Sequence, residues 1–260
     1  ILYFVAQKFK VQEDSRIEQV LEALPGANCG GCGFAGCRAF AEYYINNPDS
    51  SSFICPVGGN EAMMHIAQIL GREVKEQVPK LAVLRCNGSC QNLPRINTYN
   101  GSPSCAVAAS LYGGQTGCSY GCLGMGDCVN VCQFDAMVMD PITCLPVILE
   151  DKCTSCGACV KACPRNILEI RPKGPKNRRI YVACANKDKG AVIRKVCTVG
   201  CLGCQLCLKA CPFEAITIAD NLATIDPGKC RLCRKCTPVC PVGCITEINF
   251  PPKKQEIGNE

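Results

Sequence analysis

Cys201-Leu-Gly-Cys204-Gln-Leu-Cys207-Leu-Lys-Ala-Cys211-Pro212 is the stretch on which the fold turns. It is a C-x2-C-x2-C-x3-C-P run, and the same run returns from Cys153 to Pro164 and from Cys230 to Pro241. Three thiolates this close in sequence can wrap three corners of an iron-sulfide cubane, while the fourth reaches the neighbouring cluster of a two-cluster unit. By that rule Cys201, Cys204, Cys207 and Cys240 hold one 4Fe-4S cluster, and Cys211 with Cys230, Cys233 and Cys236 holds the next. The prolines after the fourth cysteines turn the chain away. Ile167, Ile216 and Ile245, a few residues further on, are expected to pack against the clusters and keep water off.

Upstream the pattern repeats. Cys105, Cys118, Cys122, Cys128 and Cys132 recur as Cys184, Cys197, Cys201, Cys207 and Cys211, each displaced by 79 residues, which predicts two tandem copies of one module. The surroundings agree: Cys122-Leu-Gly matches Cys201-Leu-Gly, and Cys132-Gln-Phe-Asp-Ala-Met matches Cys211-Pro-Phe-Glu-Ala-Ile. In the first copy Cys132, Cys153, Cys156 and Cys159 make a complete ligand set. The other set keeps Cys122, Cys128 and Cys163, but Met125 stands at the counterpart of Cys204. A thioether is a weaker ligand than a thiolate. The fourth corner is therefore expected from Cys118, or is left open, giving a 3Fe-4S centre. Cys86, Cys90, Cys105, Cys144, Cys184, Cys197 and Cys244 belong to no standard run. An additional cluster from Cys86, Cys90, Cys105 and Cys118 is one expectation; buried structural thiols or a labile disulfide are the other.

The amino-terminal part uses another spacing, with Cys29, Cys32, Cys37 and Cys55 in C-x2-C-x4-C-x17-C among Gly30, Gly31, Gly33 and Gly36. Glycines let the backbone pass close to a bulky cluster and turn N–H groups toward its sulfurs. Tetrahedral zinc is the alternative for four thiolates, although zinc sites usually pair two C-x2-C knuckles. Ser15 and Glu18, in capping-box spacing, open a helix that carries Ile17, Val20, Leu21 and Leu24 on one face and stops at Pro25-Gly26. Two more helices are predicted, from about Cys37 to a stop at Pro48 and from about Asn60 to a close at Gly71, followed by a strand at Leu81-Ala-Val-Leu84.

The chain has 27 cysteines in 260 residues, no Trp, 8 Phe and 7 Tyr, so large side chains for an ordinary core are scarce. So long a chain with no signal-peptide pattern at its start is a poor fit to a secreted disulfide scaffold. Metal sites formed only in the folded state add their binding free energy to folding, and an apo chain is expected to be largely unfolded. The formal net charge of +6 counts every cysteine as neutral. Each oxidised four-thiolate centre carries about −2, so five would add roughly −10 and reverse the sign, and a nucleic-acid partner is not implied. The single histidine, His65, leaves little scope for His-ligated zinc or haem and reads as a half-buried helix residue.

Residues 1–6, Ile-Leu-Tyr-Phe-Val-Ala, precede Lys8 and Lys10. Six residues cannot span a bilayer, which needs about 20, but basic residues after an apolar stretch mark the cytoplasmic exit of a membrane helix. A frayed terminus or a first strand is the alternative. Arg171, Lys173, Lys176, Arg178 and Arg179 read as a solvated linker, or as a surface steering an acidic ferredoxin or touching anionic lipid.

Asn28-Cys-Gly-Gly-Cys-Gly-Phe-Ala-Gly-Cys37, with Cys55-Pro-Val-Gly-Gly, resembles the cluster-binding domain of the iron-sulfur B subunit of the Rnf complex. Arg85-Cys-Asn-Gly-Ser-Cys90, Gly117-Cys-Ser-Tyr-Gly-Cys122 and the tandem runs resemble the same protein, so the likeness covers nearly the whole chain. It implies an ion-translocating ferredoxin:NAD oxidoreductase coupled to Na+ or H+, in which this chain accepts electrons from reduced ferredoxin and works with the A, C, D, E and G subunits of Rnf. It also implies an amino-terminal membrane helix, location at the inner (cytoplasmic) membrane with cluster domains on the cytoplasmic side, and Cys29, Cys32, Cys37 and Cys55 around the cluster nearest the membrane. Flavin and nicotinamide would belong to partners; no Gly-rich dinucleotide loop follows a strand here. A soluble polyferredoxin, or an electron-transfer subunit of another redox enzyme without ion pumping, is the alternative.

The expected class is α+β with little regular sheet: a small helical 4Fe-4S domain followed by two tandem ferredoxin-like modules of two clusters each. The expected boundaries are a membrane-anchor end at 1–10, the helical domain at 11–78, module 1 at 79–172, a basic linker at 173–179, module 2 at 180–250 and a tail at 251–260. At least five clusters follow, one of them a candidate 3Fe-4S centre.

Overall fold

The computed structural model describes residues 14–48, 53–74, 76–111 and 113–252. The apolar stub at 1–6 with Lys8 and Lys10, and the tail beyond 252, lie outside the described residues. The chain divides into two compact units. One ends at Gln77 and takes in Thr154–Cys156; the other runs from Val78 to Cys153 and from Gly157 onward.

Among the described residues the first unit is built on three helices, α1 (Ser15–Ala23), α2 (Cys37–Asn46) and α3 (Gly59–Leu70). Asp14, not Ser15, caps α1. Its carboxylate accepts from the Arg16 N–H at 2.9 Å, and the Arg16 side chain holds its pKa down at about 2. Ser15 is already the first helical residue. Val20, Leu24, Phe40, Tyr44, Met63 and Ile66 bury the three apolar faces against one another. Arg72, just past the left-handed Gly71 (φ 62°) that ends α3, donates to the carbonyls of Tyr44, of Ile45 at 2.9 Å and of Asn47 at 3.3 Å. It thereby satisfies carbonyls that the end of α2 leaves without helical partners. His65 is exposed on α3 rather than half-buried.

Among the described residues of the second unit the four sheets are all antiparallel pairs. The first half pairs β1 (Lys80–Leu84) with β4 (Leu168–Pro172) and β2 (Met137–Met139) with β3 (Pro146–Ile148). The second half repeats this with β5 (Arg179–Val182) against β8 (Ile245–Ile248) and β6 (Ile216–Ala219) against β7 (Leu222–Ile225). Short helices lie between: α4 (Cys105–Leu111), α5 (Asp127–Asn130) and α6 (Ala158–Ala162) in the first half, α7 (Gly190–Val196) and α8 (Leu206–Ala210) in the second. Two-stranded ribbons of this size are marginal alone, and the apolar clusters that support them are threaded with cysteines. Leu81, Val83, Tyr181 and Ala183 form a further cluster joining β1 to β5.

The repeat is in register at Cys118, Cys122, Cys128 and Cys132, but not at Cys105. Cys86 follows β1 as Cys184 follows β5, so Cys184 is the counterpart of Cys86 and the 79-residue step from Cys105 is a coincidence of loop length.

The basic stretch joining the halves is not solvated throughout. Arg171 and Arg179 are buried, paired with Glu169 and Glu150 respectively. The Lys173 ammonium donates to the Glu150 carbonyl at 3.3 Å, and Arg178 lies over the Phe250 ring. Only Lys176 of the five is exposed. Four of the five side chains read as a docking surface are engaged within the fold.

Candidate iron-sulfur sites

Each cysteine run folds into a loop with left-handed residues flanking its second ligand position. These are Ser155 and Gly157 around Cys156, Gly203 and Gln205 around Cys204, and Leu232 and Arg234 around Cys233. Gly124 and Gly126 do the same around Met125. A second left-handed residue follows each fourth cysteine, at Asp135, Asn166, Glu214 and Gly243. For a non-glycine residue this conformation costs about 1–2 kcal/mol, so it persists only where the surroundings fix it.

Cys201, Cys204, Cys207 and Cys240 line one cavity of about 340 Å³, closed by Ile218, Ala223 and Ile245. Cys211, Cys230, Cys233 and Cys236 line another of about 300 Å³, under Ile180, Ile216 and Ile225. Both groups are those expected from the spacing. Burial pushes the Cys207 and Cys236 thiols up to about 11, because desolvation disfavours the charged form. Cys244 adds a fifth thiol to the first cavity, its sulfur 3.6 Å from that of Cys240. Hydrogen bonding with Cys244 lowers Cys240 and Cys201 to about 5 and about 6, while the Cys244 thiol is itself pushed up. The single Cys244 S–H is thus placed to serve one of these two sulfurs at a time.

In the first module Cys105, Cys122, Cys128 and Cys163 line a cavity of about 380 Å³, walled by Leu84, Met139, Ile167 and Leu168. Cys118, the expected fourth corner, is elsewhere, and Met125 does not line this cavity. Cys105 reaches it because it opens α4, whose start is tied to Asp127 beside Cys128. The Asp127 carboxylate accepts from the Ser104 hydroxyl at 2.9 Å and the Ala106 N–H at 3.1 Å. Although burial alone would raise it, hydrogen bonds from the Cys105 and Ala106 N–H groups and Ser104 hold Asp127 below its ordinary pKa. Burial and neighbouring sulfurs push Cys122 and Cys128 up to about 12.

Cys132, Cys153 and Cys159 pack in the core of the first module. The Ala136 N–H donates to the Cys132 sulfur at 3.4 Å and the Ala82 N–H to that of Cys153 at 3.5 Å. Cys156, the other member of this set, groups with the first unit.

The set Cys86, Cys90, Cys105 and Cys118 is not brought together. Cys105 belongs to the cavity above, whereas Cys86 and Cys118 face Cys184 and Cys197 across a separate one. Cys90 is exposed; its thiol donates to the Ile142 carbonyl at 3.1 Å and contacts Cys144.

In the helical unit Cys32, Cys37 and Cys55 pack against one core, and Cys29 is partly buried at the start of their loop. Asn28 shapes the loop by accepting the Cys37 N–H at 2.8 Å. A Cβ on Gly36 would sit 2.9 Å from that Asn28 oxygen, so the position needs glycine. The Gly58 N–H donates to Cys55 at 3.3 Å, and burial with the nearby Cys32 and Cys37 pushes the Cys55 thiol up.

Each of the three cavities built around the runs brings four cysteines to one apolar-walled space. Among the described residues no three His, Cys, Asp or Glu side chains converge on a single-ion site. Rings of thiols around such spaces, backed by apolar side chains and met by backbone N–H groups, suit 4Fe-4S cores. At Cys122, Cys128, Cys207 and Cys236 the raised thiol pKa values mean that the protons stay until metal displaces them.

Small cysteine-ringed modules framed by two-stranded ribbons define a multi-cluster iron-sulfur carrier of the ferredoxin class. Family models agree: a 4Fe-4S dicluster domain matches residues 152–215 and 200–244, an Fe-S cluster family matches 24–51, and a 4Fe-4S binding domain matches 137–165. The chain is 45% identical over 245 residues to the B subunit of the Na+-translocating ferredoxin:NAD+ oxidoreductase complex of Acetobacterium woodii, covering 94% of this chain and 72% of the relative. It is 42% identical to the B subunit of an ion-translocating oxidoreductase complex of Methanosarcina acetivorans (93% and 89% covered). It is 40% identical to the B subunit of the proton-translocating ferredoxin:NAD+ oxidoreductase complex of Clostridium ljungdahlii (95% and 87% covered). The chain belongs to the B-subunit family of Rnf complexes.

Proposed function

We propose that this chain is the iron-sulfur electron-transfer subunit of a membrane-bound, ion-translocating ferredoxin:NAD oxidoreductase, accepting electrons from reduced ferredoxin and relaying them to partner subunits. The observation that carries this is the series of four-cysteine cavities within one chain, in a family whose named relatives are parts of such complexes. Bound clusters supply one-electron carriage with little rearrangement. The chain's residues hold them, exclude water and tune them through N–H···S and S–H···S contacts, which help set cluster potentials.

Five ligand sets are assigned: Cys29, Cys32, Cys37 and Cys55; Cys105, Cys122, Cys128 and Cys163; Cys132, Cys153, Cys156 and Cys159; Cys201, Cys204, Cys207 and Cys240; and Cys211, Cys230, Cys233 and Cys236. With Cys105 in the fourth corner, the second set is a 4Fe-4S site and no 3Fe-4S centre is expected. The helical domain ends near residue 78, with the ferredoxin-like modules following at 79–172 and 180–250. Reduced ferredoxin, the A, C, D, E and G subunits of Rnf, and the cytoplasmic side of the membrane are the proposed surroundings. Among the described residues no helix is long and apolar enough to cross a membrane. Ion movement belongs to the partner subunits in this reading.

The test is iron, acid-labile sulfide and EPR on anaerobically purified protein, together with reduction by ferredoxin within the complex. Iron at about four per assigned site, and reduction only when ferredoxin is reduced, is expected. Stoichiometric zinc with no visible absorbance would refute the assignment. Full activity from a preparation that never required detergent would favour a soluble polyferredoxin.

A further inference from the structure

Cys86, Cys118, Cys184 and Cys197 belong to none of those sets, yet they ring a cavity of about 340 Å³ where the two modules meet. As at Cys201, Cys204, Cys207 and Cys240, four cysteines line one space. Two of the four come from each module. Cys86 and Cys184 follow β1 and β5; Cys118 and Cys197 open the matching segments Cys118-Ser-Tyr-Gly-Cys122 and Cys197-Thr-Val-Gly-Cys201. Cys86, Cys118 and Cys184 are 6–8% exposed, and Leu93 and Ile193 close the cavity from either side.

Every sulfur of this ring receives an N–H donor. Cys86 accepts from the backbone of Cys122 and Gly88, Cys184 from that of Cys201 and Asn186, and Cys197 from that of Val199 and Gly200. Cys118 accepts from the Asn186 side-chain amide at 3.2 Å, and Asn186 is only 2% exposed. A buried amide aimed at a sulfur suits a thiolate acceptor, since a neutral thiol accepts only weakly. Glycine is needed at Gly200, where a Cβ would lie 2.4 Å from Cγ2 of the fully buried Ile193.

We propose that Cys86, Cys118, Cys184 and Cys197 hold a sixth 4Fe-4S cluster, shared between the two modules. The assignment rests on the cluster-carrier reading above and deepens it. A cluster in this ring is one hydrogen bond from a ligand of each neighbouring site, through the Cys122 N–H on one side and the Cys201 N–H on the other. It links the two ferredoxin-like modules electronically and also staples them, because neither module supplies more than two of its ligands. Each thiol gives up its proton on ligation.

The test measures iron, zinc and sulfide in the full chain and in Cys184→Ala/Cys197→Ala, with EPR of the reduced state. The wild type should hold about 24 irons and the variant about four fewer, with the signals of the other sites retained. Because the double variant risks losing its fold, Asn186→Leu is measured beside it. That variant keeps all four cysteines and should shift the midpoint potential of one cluster, leaving the iron count unchanged. A wild-type count of about 20 with Cys86, Cys118, Cys184 and Cys197 freely alkylated would overturn the sixth cluster while leaving the carrier reading intact. One zinc per chain, lost in the double variant, would overturn it equally. Absence of iron from the wild type altogether would instead remove the reading on which the inference rests.

Discussion

Replacing Cys105 by alanine tests whether the incomplete run of the first module is completed from outside itself. The start of α4 is fixed by Ser104 and Ala106 on the Asp127 carboxylate, so the backbone at 105 should remain in place when the sulfur is removed. One ligand of four is lost, and the iron it held becomes labile. That is about one iron in roughly 24, too small a change for a colorimetric iron assay, so the decisive readout is the EPR signal of a 3Fe-4S centre in the oxidised protein. Losing the sulfur of a nearly buried side chain should cost only about 1 kcal/mol of packing, so the module should still fold.

The rescue is more discriminating than the lesion. Met125 lies between left-handed Gly124 (φ 71°) and Gly126 (φ 83°), as Cys204 lies between Gly203 (φ 65°) and Gln205 (φ 65°). A thiol at 125 should therefore reach the fourth corner. Cys105→Ala/Met125→Cys should lose the 3Fe-4S signal, whereas Met125→Cys should do nothing for Cys118→Ala, which damages a different ring. If Met125→Cys repairs the Cys118 lesion and not the Cys105 lesion, the assignment of the fourth ligand is wrong.

Cys244→Ala removes the S–H placed against Cys240 and Cys201, two proposed ligands of one cluster. Stripping a hydrogen bond worth about 0.5–1.5 kcal/mol should make that cluster's potential roughly 20–60 mV more negative; a redox titration showing no shift, or a positive one, would contradict the donor role. Brief anaerobic alkylation of the holoprotein should label Cys90 and spare Cys204 and Cys233, although all three are exposed; equal labelling by mass spectrometry would mean that the latter two are not ligands. Glu150→Ala should destabilise the second unit by about 2 kcal/mol in chemical denaturation. It strands the Arg179 guanidinium, whose side chain is only 5% exposed, and the partial exposure of Glu150 (26%) moderates the cost of breaking the pair. Anaerobic chelation of iron should abolish cooperative unfolding; an unchanged transition would show that the apolar clusters suffice without metal.

The runs were legible in the sequence because three thiols of one loop are placed by local geometry, which is written in spacing, and the fourth cysteine of each run follows from the two-cluster exchange. Helices of the first unit were legible for a similar reason, with boundaries within a residue or so, although Asp14 rather than Ser15 is the α1 cap. Cys105 was not legible. It lies 17 residues before Cys122, on a helix whose placement depends on a hydrogen bond to Asp127. The ring of Cys86, Cys118, Cys184 and Cys197 was hidden differently, since no module contains more than half of it. A signal was nonetheless present. Aligning the two apolar strands, instead of the cysteines, pairs Cys86 with Cys184, and the shared Cys-x2-Gly-Cys segments then bring in Cys118 and Cys197. The equal 79-residue steps instead align Cys105 with Cys184, two residues with no structural equivalence.

The loop around Met125 shows which feature of a cysteine run the backbone preserves. It keeps both left-handed residues and the following left-handed turn at Asp135, just as the three complete runs do, although no ligand stands at its second position. Loop shape is therefore separable from ligand count. The shape delivers the first and third cysteines, here Cys122 and Cys128, and places their backbone near the cluster. The second corner can then be filled from any element able to reach it, as α4 does with Cys105. That division explains how one module can take from α4 the thiol that its twin takes from the loop itself. It also makes the Met125→Cys rescue a test of backbone geometry as much as of chemistry: if the loop carries the shape, restoring the thiol alone is sufficient.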